Sequence, residues 1–364
     1  PNYPLRVLFG TLSAKLTTDA GFAFAVALSA LFRLPLGDDA RLTYALETSS
    51  AFYVFCESCA IDGKARAAMA PLLATLLSSE LGPLELVAVE GGGWFRYQPG
   101  QFVTIGGEKL EYACFGSAPD KAPTIVMLHE GLGCLALWRD FPAKLAAATG
   151  FGVFAYSRAG YGQSDPVTLP RPLDYMTREA MAVVPPLLDA IGFQRGILLG
   201  HSDGATIAAI YAGSHEDHRV RGLVLMAPHF FTEPDGLAEI AKAKVDYETT
   251  DLKARMGKYH RDPDNAFRGW NDAWLAPGFK AWNVAEVIDY LRIPVLALQG
   301  REDQYGTLAQ IREIETRSYA PVDVEILDGC RHAPHLEQPE KTLAAITEFA
   351  KRLERIESAE VEIR

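Results

Sequence analysis

The sequence predicts an α/β protein whose main part is a mostly parallel sheet covered by helices on both faces, preceded by a smaller α/β unit. From about residue 101, short and nearly all-apolar runs alternate with longer helix-patterned runs, the signature of strands buried on both faces. The alternation is interrupted once, between the strands expected near Pro228 and Pro294, by a long helix-patterned insertion rich in tryptophan. Ahead of it, Gly91-Gly92-Gly93 and Pro99-Gly100 punctuate the passage from the first unit to the second.

Taken in order, Leu5–Phe9, Phe52–Phe55 and Leu84–Val89 read as strands, and Ala20–Leu31 and Lys64–Leu77 as helices. Together they make an amino-terminal unit over residues 1–95. The apolar run Ala20–Phe32 is well short of the roughly 20 residues that cross a bilayer, so it reads as a buried helix. In the second unit, residues 101–354, the expected strands are Phe102–Ile105, Lys109–Phe115, Thr124–Leu128, Val153–Tyr156, Gly196–Leu199, Gly222–Met226, Pro294–Leu298 and Val322–Leu327. Gly106-Gly107 between the first two is a hairpin signal, so this sheet should open with an antiparallel pair. Helices are expected at Trp138–Ala148, Tyr175–Ile191, Ala205–Ala212, Thr307–Ser318 and Glu340–Glu354. The insertion, residues 231–289, reads as a helical cap.

Composition narrows the function classes. With 364 residues, 49% of them hydrophobic and 22% charged, the chain can bury a full core without disulfides. Its 35 Lys and Arg against 46 Asp and Glu give a net charge of −11, mixed along the chain, which repels phosphate backbones and anionic lipid. Neither a nucleic acid nor a membrane is therefore an expected partner; a small molecule is. The sequence does not open with a basic segment, an apolar run and a small-residue cleavage site. Five cysteines, an odd count, fit a reducing compartment, so a cytoplasmic setting is expected. Cys56 and Cys59 have the spacing of a redox pair at a helix start, against the plainer reading of two semi-buried thiols.

The sharpest chemical signal is Gly200-His201-Ser202-Asp203-Gly204, placed after an apolar strand and before a small-residue helix. In that context Gly-X-Ser-X-Gly puts a serine on a sharp strand-to-helix turn, with glycines where a Cβ would clash. A serine hydroxyl needs a base to take its proton, and the base needs a carboxylate to orient it. Asp303 follows one late strand and His332 the last one, giving the chain order Ser, acid, His; His335 and Glu302 are the competing base and acid. Taken singly, each would be an ordinary turn, cap or surface residue.

These landmarks, with His129-Glu130-Gly131-Leu132-Gly133 after the third strand and the Ser157–Ser164 loop after the fourth, resemble the α/β-hydrolase family over residues 101–354. The His332–Glu340 segment is similar to the family's ending. The resemblance implies Ser202 as nucleophile, His332 as base and Asp303 as its orienting acid, with the amides of Gly131 and Asp203 as oxyanion donors and no cofactor or metal. Glu130 departs from the commoner His-Gly-Gly-X-Gly form. A carboxylate there must turn away into hydrogen bonds, be held neutral, or meet substrate or water. Arg158 is similar to a family arginine that holds neighbouring loops. Glu130, Trp138, His229, Trp270 and Trp274 are the candidate substrate-lining residues.

The expected activity is hydrolysis of an ester, thioester, lactone or amide of a small, mainly apolar substrate. The alternatives are carbon–carbon bond hydrolysis of the meta-cleavage type and, from another class, a ligand receptor that keeps the fold. Dehalogenase and epoxide hydrolase chemistry are disfavoured because relatives with those activities carry aspartate where Ser202 stands. No family resemblance is recognised for residues 1–95; association into a homo-oligomer through this unit is the expectation for it.

Overall fold

The computed structural model of the chain describes residues 101–358 and, before them, the backbone of three strands. The chain divides into two compact units, Pro1–Gly93 and Trp94–Arg364. In the first, β1 (Leu5–Leu8), β2 (Leu42–Glu47) and β3 (Ala51–Cys56) form an antiparallel sheet in the order β1-β3-β2. Strand β2 was not among the expected elements. The helices expected at 20–31 and 64–77, the strand at 84–89 and the Cys56/Cys59 pairing lie outside the described residues.

The second unit holds an eight-stranded sheet in the order β11-β10-β9-β8-β6-β7-β5-β4. Its hairpin, β4 (Phe102–Ile105) and β5 (Glu108–Phe115), turns through Gly106 at φ 60° and Gly107 at φ 92°. Two consecutive left-handed residues match the twist of the flanking strands, and glycine adopts that conformation without strain. Strand β5 pairs antiparallel with β7 (Gly152–Tyr156). Strands β7, β6 (Thr124–Leu128), β8 (Gly196–His201), β9 (Val220–Met226), β10 (Val295–Gly300) and β11 (Val322–Leu327) then run parallel.

Every residue of β6, β7, β8 and β10 is buried, because alternate side chains serve opposite faces and both faces are covered. Ile125 and Met127 join one core cluster and Val126 and Leu128 the other. Helix α1 (Phe141–Thr149) belongs to the first face. Helix α2, over residues 175–190, and helix α3 (Asp203–Ser214) belong to the second.

Two helices depart from expectation for local reasons. The one expected from Trp138 begins at Phe141 instead, after a short 3-10 turn and Arg139 at φ 54°; Pro142 fits its first turn, where no N–H is needed. Helix α2 runs as Tyr175–Arg178, a π turn at Glu179–Val183, then Val184–Ala190. Pro185 and Pro186 lack the N–H groups that would reach back into the preceding turn, and the ladder widens there.

Between β9 and β10 lies the helical insertion: α4 (Pro234–Thr249), α5 (Leu252–Met256), α6 (Pro263–Trp274) and two 3-10 turns, Pro277–Ala281 and Ala285–Tyr290. A bridge between Phe231 and Asn283 ties its ends together. Helix α6 starts on the Asp262 carboxylate, which accepts from the Asn265 amide at 2.9 Å, with Pro263 next. Tyr247 of α4 stacks on Phe267 of α6 at 3.9 Å. Chain order continues with α7 (Ala309–Arg317) and ends with α8 (Pro339–Ser358), whose Ile346, Phe349, Ala350 and Leu353 form a helical stripe in the core of the α1 face.

The sheet changes direction of growth at β6: β7 is added on one side and β8 on the other. In open α/β sheets such a switch point opens a crevice at the carboxyl ends of the strands. The loop after β6 and the turn after β8 both lie there. No helix among the described residues is long and apolar enough to cross a membrane.

Candidate active site

Ser202 is the residue between β8 and α3, held at φ 53° and ψ −119° and almost fully buried. A non-glycine residue in that region is strained, and strain of this kind is kept where the surroundings over-determine it. They do so here. A Cβ on Gly200 would lie 2.2 Å from the Gly204 carbonyl oxygen, and one on Gly204 would lie 2.1 Å from that of Leu128. The Ser202 amide donates to the Met226 carbonyl at 2.8 Å, and the Ser202 carbonyl accepts from the Ala205 and Thr206 amides. Asp203 is the first residue of α3, so its amide is among those a helix leaves without an internal acceptor.

His332 follows β11 and Asp303 follows β10. The His332 Nδ1 stands 2.8 Å from Asp303 Oδ2 and 3.0 Å from Oδ1, and the aspartate side chain is 1% exposed. Asp303 also accepts from Gln299 Nε2 at 2.9 Å and from the Tyr305 amide at 2.8 Å. Burial pushes this carboxyl up. The His332 charge and hydrogen bond, together with the Tyr305 amide, outweigh burial and hold it below the usual carboxylate range. It is an anion with every strong donor around it aimed at its oxygens.

The competing residues stand elsewhere. Glu302 accepts from the Cys330 amide at 2.9 Å. His335 is buried against Trp138 and Phe141, with ring centres at 4.7 and 5.6 Å; burial and the neighbouring His201 charge push its pKa down to about 3.

Around the serine, the loop after β6 is fixed from behind. His129 is fully buried; its Nδ1 donates to the Glu130 carbonyl at 2.7 Å and its Nε2 accepts from the Arg158 amide at 3.0 Å, which defines a neutral ring. Burial and the Arg158 charge hold its pKa well below the usual value. Arg158 Nη2 donates to the carbonyls of His129 and Glu130 at 3.3 and 2.9 Å and lies 3.7 Å from the Asp203 carboxylate. This buried guanidinium therefore ties together the two loops that carry Gly131 and Asp203. Asp203 also accepts from the Tyr175 hydroxyl at 2.5 Å, and that hydroxyl accepts from Trp274 Nε1 at 3.0 Å.

Glu130 turns toward His201, its Oε2 3.4 Å from Nδ1. Burial raises the Glu130 carboxyl, but the hydrogen-bonding and charge of His201 outweigh it and leave the group below the usual range. Of the expected alternatives, the contact with His201 favours a carboxylate turned away into the protein over a neutral Glu130.

The spacing of Trp270 and Trp274 puts both on one face of α6. A Cβ on Gly131 would lie 2.2 Å from the Trp270 indole nitrogen, so this glycine is what lets the indole close over the loop. Trp274 meets His229 edge-on at 5.4 Å, and the His229 ring lies 5.7 Å from that of His332. Burial, then repulsion by the His332 charge, push the His229 pKa down to about 3. Trp138 departs from this group. It is buried in the core cluster of the α1 face, against Phe141, His335 and His201, because it sits at the end of the 3-10 turn that precedes α1. Four contacting residues were not singled out from sequence: His201, Tyr175, Gln299 and Tyr305. His201 alone carried a signal, as a histidine beside the nucleophile in a site that also holds an unexplained carboxylate.

Residues 123–260 match the model of the family described as alpha/beta hydrolase fold. The second unit has the α/β-hydrolase fold. This hydrolase is 25% identical over 236 residues to a bifunctional esterase/perhydrolase of Acinetobacter calcoaceticus, covering 56% of this chain and 82% of that protein. It is 24% identical over 212 residues to a 2-hydroxy-6-oxo-6-phenylhexa-2,4-dienoate hydrolase of Comamonas testosteroni, covering 50% and 72%. Among solved structures, the enol-lactonase of Burkholderia xenovorans LB400 superposes with a TM-score of 0.55 at 20% identity, covering 69% of this chain and all of that one. At that identity the likeness speaks for the fold.

Among the described residues no group of three or more His, Cys, Asp or Glu side chains could hold a metal ion. Cys114, Cys134 and Cys330 are free and buried. Burial pushes the first two thiols up to about 12 and the third up to about 11, which keeps them protonated and unreactive.

Proposed function

We propose that the protein is a serine hydrolase that cleaves an ester, thioester, lactone or amide of a small, mainly apolar acid through an acyl-enzyme. The observation that carries this reading is the His332–Asp303 pair, at 2.8 Å, in a site whose serine occupies a strained strand-to-helix turn. In the proposed reaction Ser202 Oγ attacks the acyl carbon while His332 takes its proton through Nε2. Asp303 keeps the other proton on Nδ1 and stabilises the charged ring. The tetrahedral oxyanion receives the amides of Gly131 and Asp203, each such donor being worth about 3 to 4 kcal/mol. His332 then protonates the leaving group, and water repeats the sequence on the acyl-enzyme. Trp270, Trp274 and His229 would line the acyl site.

The similarity to an esterase/perhydrolase supports the ester reading. The similarity to a dienoate hydrolase keeps carbon–carbon bond hydrolysis by the same residues as the second reading. A cytoplasmic setting is our reading of the cysteine content. The test is turnover of a panel of p-nitrophenyl esters, lactones and ring-cleavage dienoates by wild type and Ser202→Ala. Efficient ester or lactone turnover that Ser202→Ala abolishes supports the proposal. Dienoate turnover alone selects the second reading, and undiminished turnover in the variant refutes both.

A further inference from the structure

Glu130 and His201 stand at ion-pair distance beside the proposed reacting groups, and the mechanism above does not use them. His201 is 2% exposed, and its two ring nitrogens face two different acceptors. Nδ1 lies 3.4 Å from Glu130 Oε2, while Nε2 donates to the backbone carbonyl of His332 at 2.7 Å. A carboxylate and a carbonyl can only accept: Nε2 donates a hydrogen bond to the carbonyl, while Nδ1 faces the carboxylate at ion-pair distance without an aligned hydrogen bond. The seat of the carboxylate is built into the loop. The Glu130 carbonyl is held by His129 Nδ1 and Arg158 Nη2, and a Cβ on Gly133 would lie 2.3 Å from Glu130 Oε2. The titratable groups around His201 are Glu130 after β6, His229 after β9, Asp303 after β10, and His332 and His335 after β11, the last two with ring centres 5.0 Å away.

We infer that Glu130 and His201 form a charged positioning pair that fixes the backbone of His332, so that the residue preceding the nucleophile grips the residue that carries the base. The inference rests on the serine mechanism proposed above and deepens it. His332 is held at two points, its ring by Asp303 and its carbonyl by His201, and the second hold is joined through one peptide bond to Ser202. Burial disfavours a charged His201, but the hydrogen-bonding and charge of Glu130 outweigh it and hold the pKa above the usual value. A raised pKa means the proton is present at low pH and lost as pH rises. Once it is lost from Nδ1, a lone pair faces the Glu130 carboxylate and the two repel. The pair thus weakens on the alkaline side, and the hold on His332 weakens with it.

The test is the hydrolysis of p-nitrophenyl butyrate between about pH 6 and pH 9.5 by wild type, Glu130→Gln, His201→Gln, His201→Leu and Ser202→Ala. His201→Leu, which cannot grip the carbonyl, should lower kcat by about 10- to 100-fold with KM moved less than about twofold. His201→Gln, which can still donate, should recover part of that loss. Wild type should show an alkaline fall of kcat and Glu130→Gln should lose it, because a neutral side chain no longer repels a neutral His201. An unchanged pH profile in Glu130→Gln, or equal losses in His201→Gln and His201→Leu, overturns the positioning pair while leaving the serine mechanism intact. Turnover surviving in Ser202→Ala overturns the mechanism itself. If His201→Leu does not fold, the Glu130→Gln profile decides.

Discussion

Asp303→Asn changes one atom in the proposed triad and little of its volume. The carboxylate sits between three donors: His332 Nδ1 at 2.8 Å, Gln299 Nε2 at 2.9 Å and the Tyr305 amide at 2.8 Å. An asparagine can offer only one acceptor oxygen. If that oxygen keeps the Tyr305 amide, its NH2 faces Gln299 Nε2, donor against donor, and also faces His332 Nδ1. The ring answers by accepting at Nδ1 and carrying its proton on Nε2, where it can no longer take one from serine. The charge that stabilised the imidazolium is lost as well. In related triads the wrong tautomer costs on the order of 10⁴ in kcat, equivalent to about 5 kcal/mol. The assay is kcat for a p-nitrophenyl ester, with thermal unfolding as the control for folding. Glu302→Gln, a change in the residue that braces the Cys330 amide, should lower kcat by less than about tenfold. An Asp303→Asn enzyme within tenfold of wild type, or a larger loss in Glu302→Gln, refutes the assignment.

Two further outcomes follow from the packing. His335 is buried neutral with its pKa pushed down to about 3, so between pH 6.5 and 3 the unfolded chain binds a proton there that the folded chain does not. Stability therefore falls as pH falls through that window, by up to about 1.4 kcal/mol per pH unit. His335→Phe should flatten the fall, and guanidinium titrations giving the same loss of unfolding free energy from pH 7 to pH 5 in both proteins would falsify this reading. Gly131→Ala places a methyl 2.2 Å from the Trp270 indole nitrogen, so either the indole or the loop must shift. It should cut kcat by at least about tenfold through the displaced oxyanion donor; wild-type kcat in a folded variant counts against Gly131 as a donor.

Much of this was legible because one-dimensional rules governed it. Strands buried on both faces must be apolar throughout, and so β6, β7, β8 and β10 stood out; Gly106-Gly107 announced its hairpin by the φ it requires. The strand-to-helix turn at Ser202 was readable because Gly200 and Gly204 mark contacts that tolerate no Cβ. The order of Ser202, Asp303 and His332 at strand ends was enough to propose them together. What could not be read depends on three-dimensional juxtaposition. Glu130 and His201 are distant in sequence and meet only because β6 and β8 are neighbours across the switch point. Trp138 shares its residue type with Trp270 and Trp274, and only the short turn before α1 sends it into the core. The π turn of α2 hid because its cause, Pro185 and Pro186, lies a turn downstream.

The central claim is that Ser202 is the nucleophile, and a covalent adduct reports it without knowledge of the substrate. Treatment with a fluorophosphonate, followed by digestion and mass spectrometry, should find the phosphonyl group on the peptide containing Ser202. Labelling should be abolished in a folded Ser202→Ala protein. An adduct on any other residue, or an unlabelled wild-type enzyme that nevertheless turns over esters, would contradict the account.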